Sequence, residues 1–194
     1  MTRRLRLAIS PCPNDTFAFH ALLHGPLAGR FEVALDDVEA LNLAAARGVL
    51  DVAKISVAAY GHLREDWALL HAGGAAGFGV GPIVVARADR PVGGRVAIPG
   101  EHTTAALLLR LLGRFDTVAM RFDRIEQAVR DGDVDCGVLI HEGRFTFASR
   151  GLVQVADLGE VWEERMACPL PLGAIAIRRA LGEDTAREID EALR

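Results

Sequence analysis

Short, mostly apolar runs alternate along the chain with stretches in which apolar residues recur every three or four positions. The alternation predicts strands separated by helices. Leu5–Ser10, Phe31–Asp36, Asp51–Ser56, Ala68–His71 and Ile83–Arg87 read as strands. Helices are expected over Thr16–His24, Val38–Arg47 and Val57–Arg64. Pro11 and Pro13 end the first strand, because proline cannot donate to a ladder. Asn14 or Asp15 is expected to cap the first helix, and Gly25-Pro26 to stop it. Leu41, Ala44 and Ala45 share one face of the second helix, which Gly48 closes. A glycine-rich stretch, Gly73–Pro82, has no Walker lysine and opens no helix after a strand, so it reads as a hinge loop and not a nucleotide cradle.

The pattern then restarts. Asp89–Gly94 is a turn-rich connector. Arg95–Ile98, Thr117–Arg121 and Val134–Ile140 read as strands, with helices over His102–Leu112 and Ile125–Arg130 between them. Leu152–Ala156 and Pro171–Ile177 are further strands, and Glu183–Leu193 is an amphipathic final helix. Each half is a βαβαβ unit, with 46 residues from Ser10 to Ser56 and 42 from Pro99 to His141. This predicts two α/β lobes, residues 1–88 with 172–194 and residues 89–171. Four strand–helix junctions, Ser10–Thr16, Lys54–Ser56, Gly100–Thr104 and His141–Arg144, are then expected to face one inter-lobe cleft, where α/β sheets bind ligands.

The strongest chemical signal is the end of the third strand of the second half. Val134–Ile140 lacks polar alternation, as expected of a strand buried on both faces. It runs into His141 and Glu142. His141 is a candidate general base, since imidazole changes charge near neutral pH. A strand-end histidine bonded to a neighbouring loop is the alternative. Glu142 either orients the imidazole or caps the next turn. Thr103 and Thr104 open a helix whose free N–H groups and dipole suit a carboxylate or phosphate, beyond ordinary capping. Ser10 and Asn14, with Asp15 and Thr16, make a similar junction in the first half. Lys54, with Ile55 and Ser56, ends a strand where its ammonium would neutralise an acidic ligand. No Ser or Cys sits in a nucleophile-elbow pattern, so acyl transfer is not expected.

Composition narrows the class. The 194 residues are 51% apolar and 25% charged with a net charge of −4, which excludes an electrostatic case for nucleic acid or an anionic membrane. Cys12, Cys136 and Cys168 are far apart, with no metal-ligand spacing, and their odd number fits reduced thiols in a cytoplasm. The amino-terminal apolar run is broken by proline and too short for a signal peptide, and no run approaches a membrane span. A cytoplasmic protein is expected.

The segments SPCPNDTFAFHAL, DVEALN, KISVAAY, GGAAGFGVGPIVVAR, PGEHTTA, LIHEGRFTF, LVQVADLGEVWEE and PLPLGAIAIRR closely resemble the 1,4-dihydroxy-6-naphthoate synthase family of the futalosine route to menaquinone. The resemblance covers essentially the whole chain, and PCPNDT with HTT and IHE carries most of its specificity. It implies a two-lobed fold of the type II periplasmic-binding-protein kind, with mixed sheets and helices on both faces. It implies a lyase acting on cyclic dehypoxanthine futalosine, with no metal and no organic cofactor. By the same resemblance His141 is the proton acceptor, and Lys54–Ser56 and Thr103-Thr104 contact the substrate.

Members of that family continue well past the position of Arg194. The chain therefore reads as truncated at its C-terminus, and a first lobe without those helices is expected to expose apolar surface, favouring oligomers, a homodimer among them, poor stability or inactivity. Two other functions stay open: a non-catalytic binder of a small carboxylate, and chorismate dehydratase, which shares fold and pathway but not the PCPNDT and IHE motifs.

Overall fold

A computed structural model describes residues 3–89 and 93–194; half of the predicted connector, Arg90–Val92, lies outside the described residues. The chain divides into two compact units, residues 1–75 with 172–194 and residues 76–171. In chain order the first segment holds β1 (Leu5–Ile9), α1 (Pro13–Ala18), α2 (His20–His24), β2 (Phe31–Leu35) and α3 (Val38–Ala46). It continues with β3 (Val52–Ser56), α4 (Val57–Leu63), β4 (Trp67–Leu69) and β5 (Ala75–Gly77). Next come β6 (Ile83–Arg87), β7 (Arg95–Ile98), α5 (Thr104–Leu112), β8 (Asp116–Ala119), α6 (Phe122–Asp131) and β9 (Cys136–Leu139). The chain ends with α7 (Gly143–Thr146), β10 (Leu152–Asp157), α8 (Leu158–Met166), β11 (Leu170–Arg178) and α9 (Glu183–Ala192).

The two sheets share a topology. The first has the order β2-β1-β3-β11-β4, with β5 beside β11, and the second β8-β7-β9-β6-β10. In each, a central strand pairs in parallel with the next strand in sequence on one side and with the third on the other. An antiparallel strand follows the third, β11 against β3 and β6 against β9. Strand β6 therefore belongs to the second sheet, although sequence reading placed Ile83–Arg87 in the first lobe. A fully apolar strand declares its burial but not its partner.

Each sheet is covered by its own helices. In the first unit Leu5, Leu7, Ile9, Phe19, Leu22, Phe31 and Ile189 form one core, and Leu41, Ala45, Ile55, Trp67 and Ala176 form another. In the second, Ile125 and Val129 of α6 pack on Val134 and Leu139. Gly137 permits that approach: a Cβ there would lie 2.5 Å from the Cγ2 of Ile125. The edge strand β2 exposes Val33 and Leu35, and Phe17 on α1 is also exposed.

Three local expectations need correction. The first helix begins at Pro13, where a fixed φ and missing N–H are harmless, and it breaks at Phe19, whose ring fills the core. Cys12, not Asn14 or Asp15, is its N-cap residue. Helix α8 was not foreseen, because only Leu158 and Gly159 of it are buried and the sequence carries no clear apolar stripe. No helix among the described residues is long and apolar enough to cross a membrane.

The end of the first sheet remote from the candidate site is stitched by Asp51. Its carboxylate accepts from the Arg6 amide at 2.8 Å, from the Arg6 guanidinium at 3.4 Å and from Arg3 at 2.8 Å. Burial pushes this carboxyl up, but the Arg6 amide and the two guanidinium groups outweigh it and hold it below the usual range. The same balance, set by the Ala72 amide and Arg194, depresses Asp190 on α9. A depressed carboxyl stabilises the fold at pH values above its unfolded pKa near 3.8, and that stability is lost as pH falls through the lower folded value. Urea unfolding should therefore show stability falling below about pH 4, and Asp51→Asn should flatten that fall while costing about 2 kcal/mol at pH 7. An unchanged pH dependence in this variant would contradict the assignment.

Candidate functional site

In an open α/β sheet, ligands bind beyond the carboxyl ends of the strands where successive connections leave in opposite directions. In the first sheet that point lies between β1 and β3, since β1 connects to β2 on one side and the chain then returns to β3 on the other. Ser10 follows β1, and Lys54 and Ser56 close β3. All three are buried. Lys54 Nζ lies 2.9 Å from Asp15 Oδ1, and Ser10 Oγ donates to Asp15 Oδ2 at 2.6 Å. The Gly73 carbonyl lies 3.5 Å from the same ammonium. Gly173, on the facing strand β11, leaves room for the lysine stem: a Cβ there would lie 3.0 Å from Lys54 Cε. A buried ammonium needs such partners, because leaving it unpaired costs several kcal/mol.

The cation expected at Lys54 is thus already half of an ion pair. Asp15 was read as a helix cap; it sits inside α1 and turns its carboxylate to Lys54 and Ser10. Ser56 is held from the other side by Asn42 of α3, whose Oδ1 accepts from the Ser56 amide at 2.9 Å and whose amide donates to Ser56 Oγ at 3.2 Å. Asn42 escaped sequence reading, although a buried Asn within an apolar helix face is a visible signal. Ile55 points the other way, as alternation along a strand requires, and is fully buried in the core with Trp67. Its side chain is therefore a packing group and not a ligand contact. Asn14 is exposed on α1.

The second sheet repeats the arrangement between β7 and β9, which are parallel neighbours. The turns holding Thr103 and His141 consequently leave the same edge of that sheet. Thr103 is the N-cap of α5, accepting from the Ala106 amide at 3.1 Å while its hydroxyl donates to the Gly100 carbonyl at 2.7 Å. Its proton is therefore already engaged. Thr104, in the first turn, is also buried.

His141 follows β9 with φ +55°, one of two non-glycine residues with positive φ among those described. A left-handed L-residue costs on the order of 1–2 kcal/mol, and such strain gathers at functional sites. The imidazole is partly exposed, and its ring stands edge-on to Phe122 with centroids 5.1 Å apart. Glu142 is exposed at the start of α7, and its carboxylate makes no capping bond, contrary to one of its two expected roles. The adjoining Arg144 reaches Asp157 at 2.6 Å and the Gly81 carbonyl at 2.9 Å. Neither partner was foreseen, because 13 and 63 residues of chain separate them from Arg144.

Residues 5–194 match the profile of a family described as Menaquinone biosynthesis. A 1,4-dihydroxy-6-naphthoate synthase of Thermus thermophilus is 53% identical over 195 residues, which cover 98% of this chain and 72% of the relative. One from Streptomyces coelicolor is 48% identical, covering 98% and 71%. A crystal structure of an Archaeoglobus fulgidus protein superposes with a TM-score of 0.91 at 43% identity, covering 98% of this chain and 74% of that one. The alkanesulfonate-binding protein of Xanthomonas axonopodis has a TM-score of 0.74 at 13% identity, covering 99% and 72%, and at that identity it speaks for the fold alone. The architecture is that of periplasmic substrate-binding proteins.

Proposed function

Because the chain belongs to the menaquinone-biosynthesis family, we propose that it is a lyase that converts cyclic dehypoxanthine futalosine to 1,4-dihydroxy-6-naphthoate, with His141 as the proton acceptor. The observation that carries the residue assignment is the left-handed turn at His141, at the switch point of its sheet, after the strand that neighbours the one leading to α5. A positioned base contributes roughly 10²–10⁴-fold to such a step. Orienting the substrate and excluding water supply the rest.

Substrate contact falls in this reading on Lys54, Ser56 and Thr104, and on the amides of the first turn of α5. The substrate carries a carboxylate, which suits a helix start and an ammonium. Thr103 serves chiefly to fix that helix start, since its proton is already bonded. Ser10 acts through Asp15 on Lys54. The step calls for no metal or organic cofactor, and we assign it to the cytoplasm.

The test is incubation of the protein with cyclic dehypoxanthine futalosine, with detection of naphthoate. Steady turnover supports the lyase. Binding without consumption would favour a carboxylate-binding protein, the reading that the fold of its structural neighbours also allows. Consumption of chorismate in its place would favour the dehydratase.

A further inference from the structure

We infer that Arg144 and Asp157 form a positioning pair that holds the His141 turn in its left-handed conformation, an inference that rests on the reading of His141 as proton acceptor. The Arg144 amide closes the turn onto the His141 carbonyl at 3.4 Å. Its guanidinium then leaves the turn in three directions: to Asp157 Oδ2 at 2.6 Å, to the Gly81 carbonyl at 2.9 Å and to the Gly79 carbonyl at 3.4 Å. A planar guanidinium presents its donors in a rigid fork and holds several acceptors in a fixed geometry at once.

Each acceptor is itself anchored. The other oxygen of Asp157, Oδ1, caps α8, accepting from the amides of Gly159 at 2.9 Å and Glu160 at 3.2 Å. The Gly79 amide donates to Glu163 of the same helix at 2.7 Å. Gly81 lies against Gly159 so closely that a Cβ on Gly81 would be 2.7 Å from the Gly159 Cα. The Leu158 amide donates to the Pro82 carbonyl at 2.9 Å. The glycine-rich stretch, the start of α8 and the His141 turn are thus tied through one guanidinium. Asp157 has a side chain only 2% exposed and Arg144 one 17% exposed, so water competes little for either.

This bracing has a reason in the backbone. A strained turn relaxes unless its surroundings over-determine it. The bond onto the His141 carbonyl is long, the next one, from the Phe145 amide to the Glu142 carbonyl, is 2.9 Å, and the Arg144 guanidinium adds short bonds to other segments. Released from them, the turn would relax and carry the imidazole off its line of attack, and a misplacement of about 1 Å costs on the order of 10²-fold in rate. Arg144 acts through the turn it belongs to, and Asp157 acts through Arg144.

The experiment compares Arg144→Ala, Asp157→Asn and His141→Ala in the full chain, each assayed for naphthoate formation. Asp157→Asn keeps an oxygen to cap α8 and puts an NH2 donor in place of the oxygen that Arg144 bonds, so it remains informative if Arg144→Ala folds poorly. Both positioning variants should lose about 10- to 100-fold in kcat, with KM within about threefold of wild type. Added guanidinium ion should restore part of the kcat of Arg144→Ala. The inference is overturned if either variant turns over within about twofold of wild type, or if guanidinium restores nothing and KM rises as far as kcat falls. An inactive His141→Ala beside a normal Arg144→Ala would remove the positioning pair alone. A normal His141→Ala would remove the proton-acceptor reading, and this inference with it.

Discussion

His141→Gly should be more stable than His141→Ala by about 1 kcal/mol, although both variants lose about 10²–10⁴-fold in turnover. Both remove the imidazole and its edge-on contact with Phe122, so the difference between them isolates the backbone. At an ordinary position glycine is the less stable of the two by about 0.5–1 kcal/mol, because its unfolded chain has more freedom to lose. At φ +55° the order reverses, since alanine carries the left-handed penalty and glycine does not. Urea unfolding of the two variants reads the sign directly. Alanine equal to or above glycine would mean that the turn stores no strain, and the main structural mark of this residue as functional would go. The opposition of stability and activity at one residue is the behaviour of a site held for chemistry.

The second large effect lies at Asp15 and Lys54. Removing either partner leaves the other as a buried, uncompensated charge, so Asp15→Ala and Lys54→Met should each cost about 3–5 kcal/mol. The double variant should cost less than the two together, with a coupling of about 1–3 kcal/mol. Asp15→Ala also frees the Ser10 hydroxyl, which donates to the same carboxylate. Denaturation of the four proteins of this cycle measures the coupling. Simple additivity would show that the 2.9 Å contact carries no energy and that Lys54 needs no partner to stay in place.

Much of the fold was legible because strand burial and helix periodicity are local properties. The run Val134–Ile140 announced a buried strand and put His141 at its end, and Thr103 was readable as a cap from residue type and position alone. The repeat of spacing in the two halves foreshadowed two sheets of one topology. What escaped depends on contacts between distant segments. Asp15 has the composition of a cap and the role of a counter-ion, a choice made by a lysine 39 residues away. Asp157 lies one residue past the strand expected over Leu152–Ala156 and carried no sign that it caps α8 and anchors Arg144. Strand β6 carried no mark of which sheet it would join. The left-handed turn at His141 was also invisible, since histidine is only modestly favoured there and a glycine would have been the ordinary sign.

The most direct measurement uses one variant and two readouts. His141→Asn replaces the imidazole with a side chain that tolerates left-handed backbone. Calorimetric titration of this variant with cyclic dehypoxanthine futalosine should give an affinity within about tenfold of that for the wild type, whose binding is fitted before turnover accumulates, since the base acts on the bound substrate and not on its capture. The same solution, left standing, should yield naphthoate about 10²–10⁴-fold more slowly than the wild type. Naphthoate formed at near wild-type rate would contradict the account, because the proton would then have another acceptor.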